Sequence, residues 1–365
     1  MEYNNQKVRK IESGLCIGNS DCLKSIMELM HETNTLGMSI AIVEDNKVKF
    51  TKGYGITDDD SGRIVSAETI FQAASISKAL TALAVMILVE KGILELNKNV
   101  NTYLKSWFLQ ENEFTKGNPV TLKNLLSHTA GTTVSGFPGY MNKTDIPELI
   151  NVLNGDSPAN TEKITVDVRP NTLCRYSGGG LTIVQQILID TLNKPYQDIM
   201  QEMILQPLHM NSSFFTNVKL PEEKVKHIAL GHHYNGSQVL GGYRVHPEMA
   251  AAGLWTTAGD LANFIIGVQK AIKGDSDAIL TKKFADIMLT PILDGKFNIG
   301  FFNQKVGKEI LVGHDGGNSG YDSTMLFHKY KGYGITFMAN SNNGHKIIMP
   351  LLKSVASANE WSDIL

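Results

Sequence analysis

Strand-forming segments lie at both ends of this chain and helical patterns fill its middle, and this layout restricts the fold more than any other feature. Residues 37–43 and 48–52 are predicted strands joined by a turn, and residues 310–312, 323–327 and 333–338 are predicted strands near the other end. Strands joined by tight turns pair antiparallel. We therefore predict an α+β fold. Its antiparallel sheet, one α/β layer built from both termini, is flanked by N- and C-terminal helices and carries an inserted, mostly helical domain.

The same patterns predict where the parts begin and end. Residues 1–20 are predicted to be a loose leader, residues 21–74 and 250–365 to form the sheet domain, and residues 75–249 to form the helical domain. Clefts between domains are favoured sites for ligands. A functional site is therefore expected near the first boundary.

Composition argues against several classes of partner. The chain has 365 residues, a net charge of −2 and no dense basic segment, so nothing favours binding to nucleic acid or to an anionic membrane. The longest apolar stretch, residues 82–89, is too short to span a bilayer. The polar N-terminus lacks the apolar core of a signal peptide, which predicts a protein that is either cytoplasmic or exported with its leader removed. A small-molecule substrate is expected, and the oligomeric state stays open.

Cysteine and histidine spacing argues against disulfides and metal sites. The chain has three cysteines, Cys16, Cys22 and Cys174, an odd and sparse number for a disulfide framework. Cys16 and Cys22 lie close enough in sequence to pair but are expected to be reduced. No second Cys or His pair completes a zinc motif. His232 and His233 are adjacent and would point apart on a strand, so no metal or cofactor is expected.

Ser75 and Lys78 form the motif with the clearest chemistry. The serine lies three residues before the lysine, where an apolar segment predicted to be a helix begins. Positions i and i+3 share a helix face, so the hydroxyl and the amine can meet. A partly desolvated lysine can lose its proton and act as a base toward serine, and free N–H groups at a helix start suit an oxyanion. A four-residue pattern also arises by chance in a chain of this length.

Two glycine-rich segments contain further candidates. Tyr176 precedes Ser177, three glycines and a predicted helix. Its phenol can carry a proton beside an ammonium, or it can simply pack at the helix start. His314 follows a predicted strand in a segment dense in glycine. It can bind a substrate or move a proton, or it can occupy a polar bulge.

With these three segments in this order, the chain resembles the superfamily of serine β-lactamases and penicillin-binding proteins, and most of all its class C β-lactamase-like branch. That branch contains D,D-peptidases, class C β-lactamases, D-aminopeptidases and esterases. The three matching motifs are Ser75-Ile-Ser-Lys78, Tyr176-Ser177-Gly178 and His314-Asp315-Gly316. Segments 125–131, 207–210 and 253–260 are also similar to the family, and the resemblance extends from about residue 25 to the C-terminus.

The resemblance implies a role for each motif residue. Lys78 and Tyr176 together deprotonate Ser75, and the immediate base stays open because coupled groups titrate as a set. Backbone N–H groups of Ser75 and Gly317 form the oxyanion hole. The residues implied to bind substrate or relay protons are His314, Ser177, Gly178, Asp315 and Gly316. No metal or cofactor is implied.

The chain departs from the family pattern at two positions, and these differences affect which substrates we expect. Gly178 stands where the family usually has asparagine, and His314 stands where the lactamases have lysine. A histidine is mostly neutral at pH 7, so we expect weak attraction for a substrate carboxylate and a kcat/KM for such substrates that changes between pH 5 and 8.

The sequence leads to three hypotheses for the function. The first is a serine hydrolase of D-amino-acid peptides or β-lactams. The alternatives are a promiscuous carboxylesterase and a non-catalytic protein that binds cell-wall fragments or β-lactams. A classical α/β-hydrolase is excluded because the chain has no Gly-x-Ser-x-Gly motif.

Overall fold

A six-stranded antiparallel sheet, with strand order β10-β11-β12-β13-β3-β4, joins the two ends of the chain. The structure, a computed structural model, describes residues 4–16 and 23–364. In the described residues the strands are β1 Leu15–Cys16, β2 Leu23–Lys24, β3 Gly37–Glu44, β4 Lys47–Gly55, β5 Phe71–Ala74, β6 Tyr140–Met141, β7 Phe214–Phe215, β8 Arg244–Val245, β9 Leu254–Thr256, β10 Phe302–Val306, β11 Glu309–Asn318, β12 Tyr321–His328 and β13 Gly334–Ala339.

Helices cover both faces of this sheet and fill the middle of the chain. The α-helices are α1 Asn5–Ser13, α2 Ile26–Glu32, α3 Ser77–Glu90, α4 Leu122–Leu126, α5 Leu149–Asn154, α6 Gly178–Leu192, α7 Tyr196–Met200, α8 Glu222–Val225, α9 Met249–Ala252, α10 Ala258–Lys273, α11 Lys282–Met288 and α12 His345–Ala358. A 3₁₀ turn at Val100–Thr102 and a π-helical turn at Gln201–Leu205 complete the helical elements.

The central strand β3 is buried on both faces, which explains its continuous apolar sequence. Ile40 and Ile42 belong to the core under α1, α2 and α12, whereas Ala41 and Val43 belong to the larger core on the other face. The alternation follows the two-residue period of a strand. Helix α10 packs across β3 and β13 on the second face, so helices lie on both sides of the sheet.

Helix α3 is the centre of the larger core. Every residue from Ser77 to Leu88 is buried, as expected for a helix that is apolar on all sides. It packs against α6 and α9. The serine motif therefore lies at the end of an element that is surrounded by protein.

The predicted mixture of an antiparallel sheet and helices is confirmed. The predicted N- and C-terminal strands correspond to β3, β4, β11, β12 and β13. Strand β10 was not predicted because most of its side chains stay partly exposed and its sequence, Phe-Asn-Gln-Lys-Val, has no apolar run. The division into domains at residues 75 and 249 stays a prediction.

The predicted loose leader is wrong for the described residues of segment 1–20. Helix α1 packs along α12, and Ile11 is completely buried in the core beneath the sheet. The Asn4 side chain caps the helix by accepting from the Gln6 N–H. Cys22 lies outside the described residues, so pairing with Cys16 stays untested.

The predicted helix over residues 21–34 is shorter than expected. Helix α2 begins after Ser25, whose hydroxyl accepts from the Glu28 N–H while the Glu28 carboxylate accepts from the Ser25 N–H. This capping box fixes the helix start. No helix within residues 4–16 or 23–364 is long and apolar enough to cross a membrane.

Candidate active site

Ser75 and Lys78 meet at the start of α3. Lys78 Nζ donates to Ser75 Oγ over 2.9 Å and to the Ala251 carbonyl oxygen over 2.7 Å. The helix begins at Ser77 rather than at Ser75, and Ala74 just before the serine has a left-handed φ of 47°. Such a conformation is unfavourable for a residue with a side chain. The serine is thus held in a tight turn, and only its ammonium partner is on the helix.

Strand β11 passes unusually close to the segment that ends at Ser75. A Cβ on Gly316 would collide with the Ala73 carbonyl oxygen, so only glycine allows this approach. Ser323 Oγ donates to the same carbonyl over 2.9 Å. The close packing places Gly317 at the edge of the cleft, where it lines a cavity of about 750 Å³.

Tyr176 lies between two histidine rings beside Lys78. Its ring centroid is 4.4 Å from that of His128 and 6.2 Å from that of His314. Lys78 Nζ is 5.0 Å from the Tyr176 centroid. The structure therefore brings together Ser75, Lys78, Tyr176 and His314, which the sequence predicted, and adds His128.

His128 belongs to segment 125–131, which is similar to the family, but the sequence predicted no role for this histidine. It is buried with a φ of 60°, and its Nδ1 accepts from the Ser177 N–H over 3.2 Å. Burial, with smaller effects of Lys78 and His314, lowers its pKa well below the usual value. The neutral ring therefore carries its proton on Nε2.

Burial of His314 favours its uncharged form at neutral pH. Burial, and then the Lys78 ammonium, lower the pKa of His314 to about 3. Its Nδ1 donates to the Asp315 carbonyl oxygen over 2.6 Å, which leaves Nε2 as an acceptor. The pH-dependent selection of carboxylates expected from the sequence is therefore wrong for this residue, because its burial was not visible there.

Ser177 and Asp315 both form hydrogen bonds with other parts of the protein. Ser177 Oγ donates to the Thr133 and Val134 carbonyl oxygens and caps α6 by accepting from the Gly180 N–H. Asp315 follows His314 on β11 and points to the opposite face, where its carboxylate accepts from Thr324 Oγ1 over 2.8 Å. These hydrogen bonds give both side chains a structural role, and their contacts with substrate stay predictions.

Gly178 has no room for the asparagine that the family usually has. A Cβ there would lie 2.9 Å from Cε2 of Phe137. The Phe137 ring thus covers the position of the missing side chain and also lines the 750 Å³ cavity. Lys78 uses the Ala251 carbonyl as its second acceptor.

We expect Gly178→Asn to destabilise the protein by about 1–3 kcal/mol, because the Phe137 ring must move. Urea unfolding measures the change. The double variant G178N/F137A should recover stability relative to the sum of the two single changes. Strict additivity of the two substitutions would show that the ring does not limit this position.

Residues His246 and Glu248 form a second buried pair near Lys78. His246 Nδ1 is 3.8 Å from Glu248 Oε2, and the side-chain polar atoms of both residues have no hydrogen-bond partner among the described residues. Burial, then Lys78, lowers the pKa of His246 to about 3, and burial raises the pKa of Glu248 to about 8. Burial therefore favours the neutral form of both groups.

We expect the free energy of unfolding to fall as the pH is lowered below about 6.5. His128, His246 and His314 have lowered pKa values in the fold, whereas in the unfolded chain they bind a proton below about pH 6.5. Each therefore removes up to about 1.4 kcal/mol of stability per pH unit. Glu248 acts in the opposite direction, because it stays protonated in the fold while the unfolded chain ionises above about pH 4.3. Its stabilising contribution is lost as the pH rises toward 8.

Urea titrations of the wild type and H314Q between pH 4.5 and 6.5 measure this dependence. The slope against pH should be smaller in H314Q by about one proton. Equal slopes would show that His314 is charged in the folded protein.

Some parts of the site have no counterpart in the sequence prediction. Phe297 packs edge-on to His128, with centroids 5.2 Å apart, and Phe302 lies 5.6 Å from His314. Neither belongs to a polar motif, so no local pattern marks them. In residues 4–16 and 23–364, no group of three or more His, Cys, Asp or Glu side chains is arranged to hold a metal ion.

The chain was compared with known families and proteins. A family model described as Beta-lactamase matches residues 24–357. Protein flp of Staphylococcus aureus (strain N315) is 25% identical over 339 residues, which cover 90% of this chain and 64% of flp. A beta-lactamase of Pseudomonas fluorescens is 25% identical over 244 residues, 66% of this chain and 62% of that protein. The chain thus spans less than two thirds of the length of these relatives.

Solved structures show the same fold. The octameric penicillin-binding protein homologue from Pyrococcus abyssi superposes with a TM-score of 0.75 at 26% identity, covering 92% of this chain and 76% of that chain. A beta-lactamase/D-alanine carboxypeptidase from Pseudomonas syringae gives a TM-score of 0.71 at 21% identity, with coverage of 91% and 96%. The predicted fold of the β-lactamase and transpeptidase type is confirmed.

Proposed function

The chain belongs to the beta-lactamase family, and we propose that it is a serine hydrolase in which Ser75 forms an acyl-enzyme with D-amino-acid peptides or β-lactams. Membership of the family, and the similarity to the Pseudomonas fluorescens beta-lactamase, support a hydrolase. The observation that carries the assignment of the nucleophile is the 2.9 Å hydrogen bond from Lys78 Nζ to Ser75 Oγ. A serine needs such a partner because its hydroxyl alone is a weak nucleophile.

In the first step, the coupled pair of Lys78 and Tyr176 takes the proton of Ser75 as Oγ bonds to the substrate carbonyl carbon. The oxyanion accepts hydrogen bonds from the backbone N–H groups of Ser75 and Gly317. The carbon–nitrogen or carbon–oxygen bond of the leaving group then breaks while Tyr176 delivers a proton to it. Water hydrolyses the resulting ester and returns the proton to Ser75.

The neutral His314 ring is proposed to accept a hydrogen bond from the substrate through Nε2. Because Nδ1 donates to the Asp315 carbonyl, only Nε2 is free to act as acceptor. An uncharged ring in this place does not attract a carboxylate. This observation favours a carboxylesterase of small neutral acyl esters as the second candidate function.

A non-catalytic binding protein is less well supported than either enzyme. Such a protein needs no base beside the serine, whereas here Lys78 Nζ donates to Ser75 Oγ and Tyr176 lies beside Lys78. A binding protein nevertheless predicts a different result in the experiment below, which is a complex with the ligand and no turnover.

The test is to incubate the protein with a penicillin and follow its intact mass, with peptide mapping of any adduct. A persistent adduct on Ser75 identifies a penicillin-binding peptidase, and rapid turnover identifies a β-lactamase. Hydrolysis of a short-chain aryl ester without an adduct supports the carboxylesterase. A non-covalent complex without turnover supports the binding protein, and modification at another residue would contradict the assignment of Ser75.

A further inference from the structure

The 750 Å³ cavity beside Gly317 contains a cation that the proposed mechanism does not use. Arg244 lines this cavity and is half-buried. Its guanidinium forms no ion pair or hydrogen bond with any residue of the part of the chain that the structure describes. Arginine is charged at every accessible pH. A charge in this position is therefore available to a ligand.

Hydrogen bonds through Gln72 connect the backbone of Arg244 to the strand that leads into Ser75. Gln72 Nε2 donates to the Arg244 carbonyl oxygen over 2.7 Å, and Asn318 Nδ2 donates to Gln72 Oε1 over 2.7 Å. Gln72 lies on β5, which leads into Ser75, and Asn318 follows Gly317 on β11. One glutamine side chain thus links the arginine to both strands that carry the proposed catalytic groups.

Neither Asp322 nor Glu248 forms an ion pair with Arg244 in the part of the chain that the structure describes. Asp322 lines the same cavity, but its carboxylate accepts from the N–H and from Nδ1 of His345, each over 3.0 Å. Glu248 is buried, and burial raises its pKa to about 8. It is therefore neutral at pH 7. Arg244 and Asp322 are the two charged residues that line the cavity.

We propose that Arg244 binds a carboxylate of the substrate in this cavity, so that the enzyme selects acyl substrates with a negative charge away from the reacting carbonyl. The planar guanidinium matches a carboxylate with two parallel hydrogen bonds. The volume suits a small organic ligand, and Phe137, Tyr140 and Tyr234 supply apolar walls. This role rests on the proposed function and supplies the anion contact that neutral His314 does not.

The test compares three esters of similar size. They are 4-nitrophenyl pentanoate, 4-nitrophenyl hydrogen glutarate with its carboxylate on the acyl side, and 3-carboxyphenyl pentanoate with its carboxylate on the leaving group. We expect R244Q to lower kcat/KM about 10- to 100-fold for one of the two anionic esters, and about 2-fold or less for the neutral one. R244K should lower kcat/KM for that anionic ester by an intermediate factor, because lysine keeps the charge but cannot form the two parallel hydrogen bonds of a guanidinium.

Lys143 provides the matched control. It is exposed in the loop after Met141 and does not line the cavity, so K143Q removes one charge nearby and should leave all three rates unchanged. Equal losses for neutral and anionic esters, or no loss in R244Q, would overturn the role of Arg244 alone. Failure of the wild type on every ester and on penicillin would contradict the proposed function instead.

Measuring the affinity of inactive variants for the two anionic esters tests the same role of Arg244 without turnover. Calorimetry of 4-nitrophenyl hydrogen glutarate and 3-carboxyphenyl pentanoate with S75A and with S75A/R244Q should show at least about a 10-fold weaker Kd for one of them in the double variant. Equal affinities of the two variants for both esters would contradict the proposal even if the protein hydrolyses no ester.

Discussion

Ser75→Ala is expected to lower kcat by about 10⁵-fold or more and to abolish any covalent adduct with penicillin, because no other group can take the place of the attacking oxygen. Within the described part of the chain the hydroxyl makes one hydrogen bond, from Lys78 Nζ, so the variant should fold normally. Turnover of an aryl ester and intact mass after exposure to penicillin measure the two effects, and urea unfolding confirms the fold.

Ser77→Ala is the matched control for this substitution. Ser77 Oγ donates to the Ala74 carbonyl oxygen and accepts from the Leu254 N–H, so its loss should cost stability, about 1–3 kcal/mol, with little effect on the rate per folded molecule. Full activity in S75A, or loss of the adduct only in S77A, would reject Ser75 as the nucleophile.

Lys78→Met is expected to slow acylation about 10³-fold, the usual contribution of a general base. Lys78→Arg should be nearly as slow, because a guanidinium does not give up its proton. The rate of adduct formation with penicillin measures the acylation step directly. In contrast to S75A, these variants should still form the adduct after long incubation.

Lys91→Met removes an exposed lysine at the other end of α3 and should leave the rate unchanged. A rate for K78M within about 10-fold of the wild type would exclude Lys78 as an essential base and would transfer that role to Tyr176.

Local sequence patterns were sufficient to predict strands, turns and contacts between residues that are close in the sequence. Strand β3 follows from a short, continuous apolar run, and the hairpin of β12 and β13 follows from two strand-forming segments that flank a turn. The contact between Ser75 and Lys78 follows from a spacing of three. The two-residue period of a strand would also have separated His314 from Asp315, since neighbours on a strand point to opposite faces.

Long-range packing determines the features that the sequence did not reveal. Phe137 covers Gly178 although the two lie far apart in the chain, and no motif marks the phenylalanine. The neutral state of His314 depends on burial by elements that meet only in the folded protein. Arg244 belongs to none of the segments that the sequence marked, and its link to the strand before Ser75 is formed by the Gln72 side chain.

The sheet that joins both ends of the chain has a consequence for biosynthesis. Strands β3 and β4 leave the ribosome early, but β3 pairs with β13, near the C-terminus. Until β13 is made, one edge of an apolar strand has no native partner, and such edges promote aggregation. The nascent chain should therefore depend on chaperones until β13 is made, and truncation before β13 should yield insoluble protein.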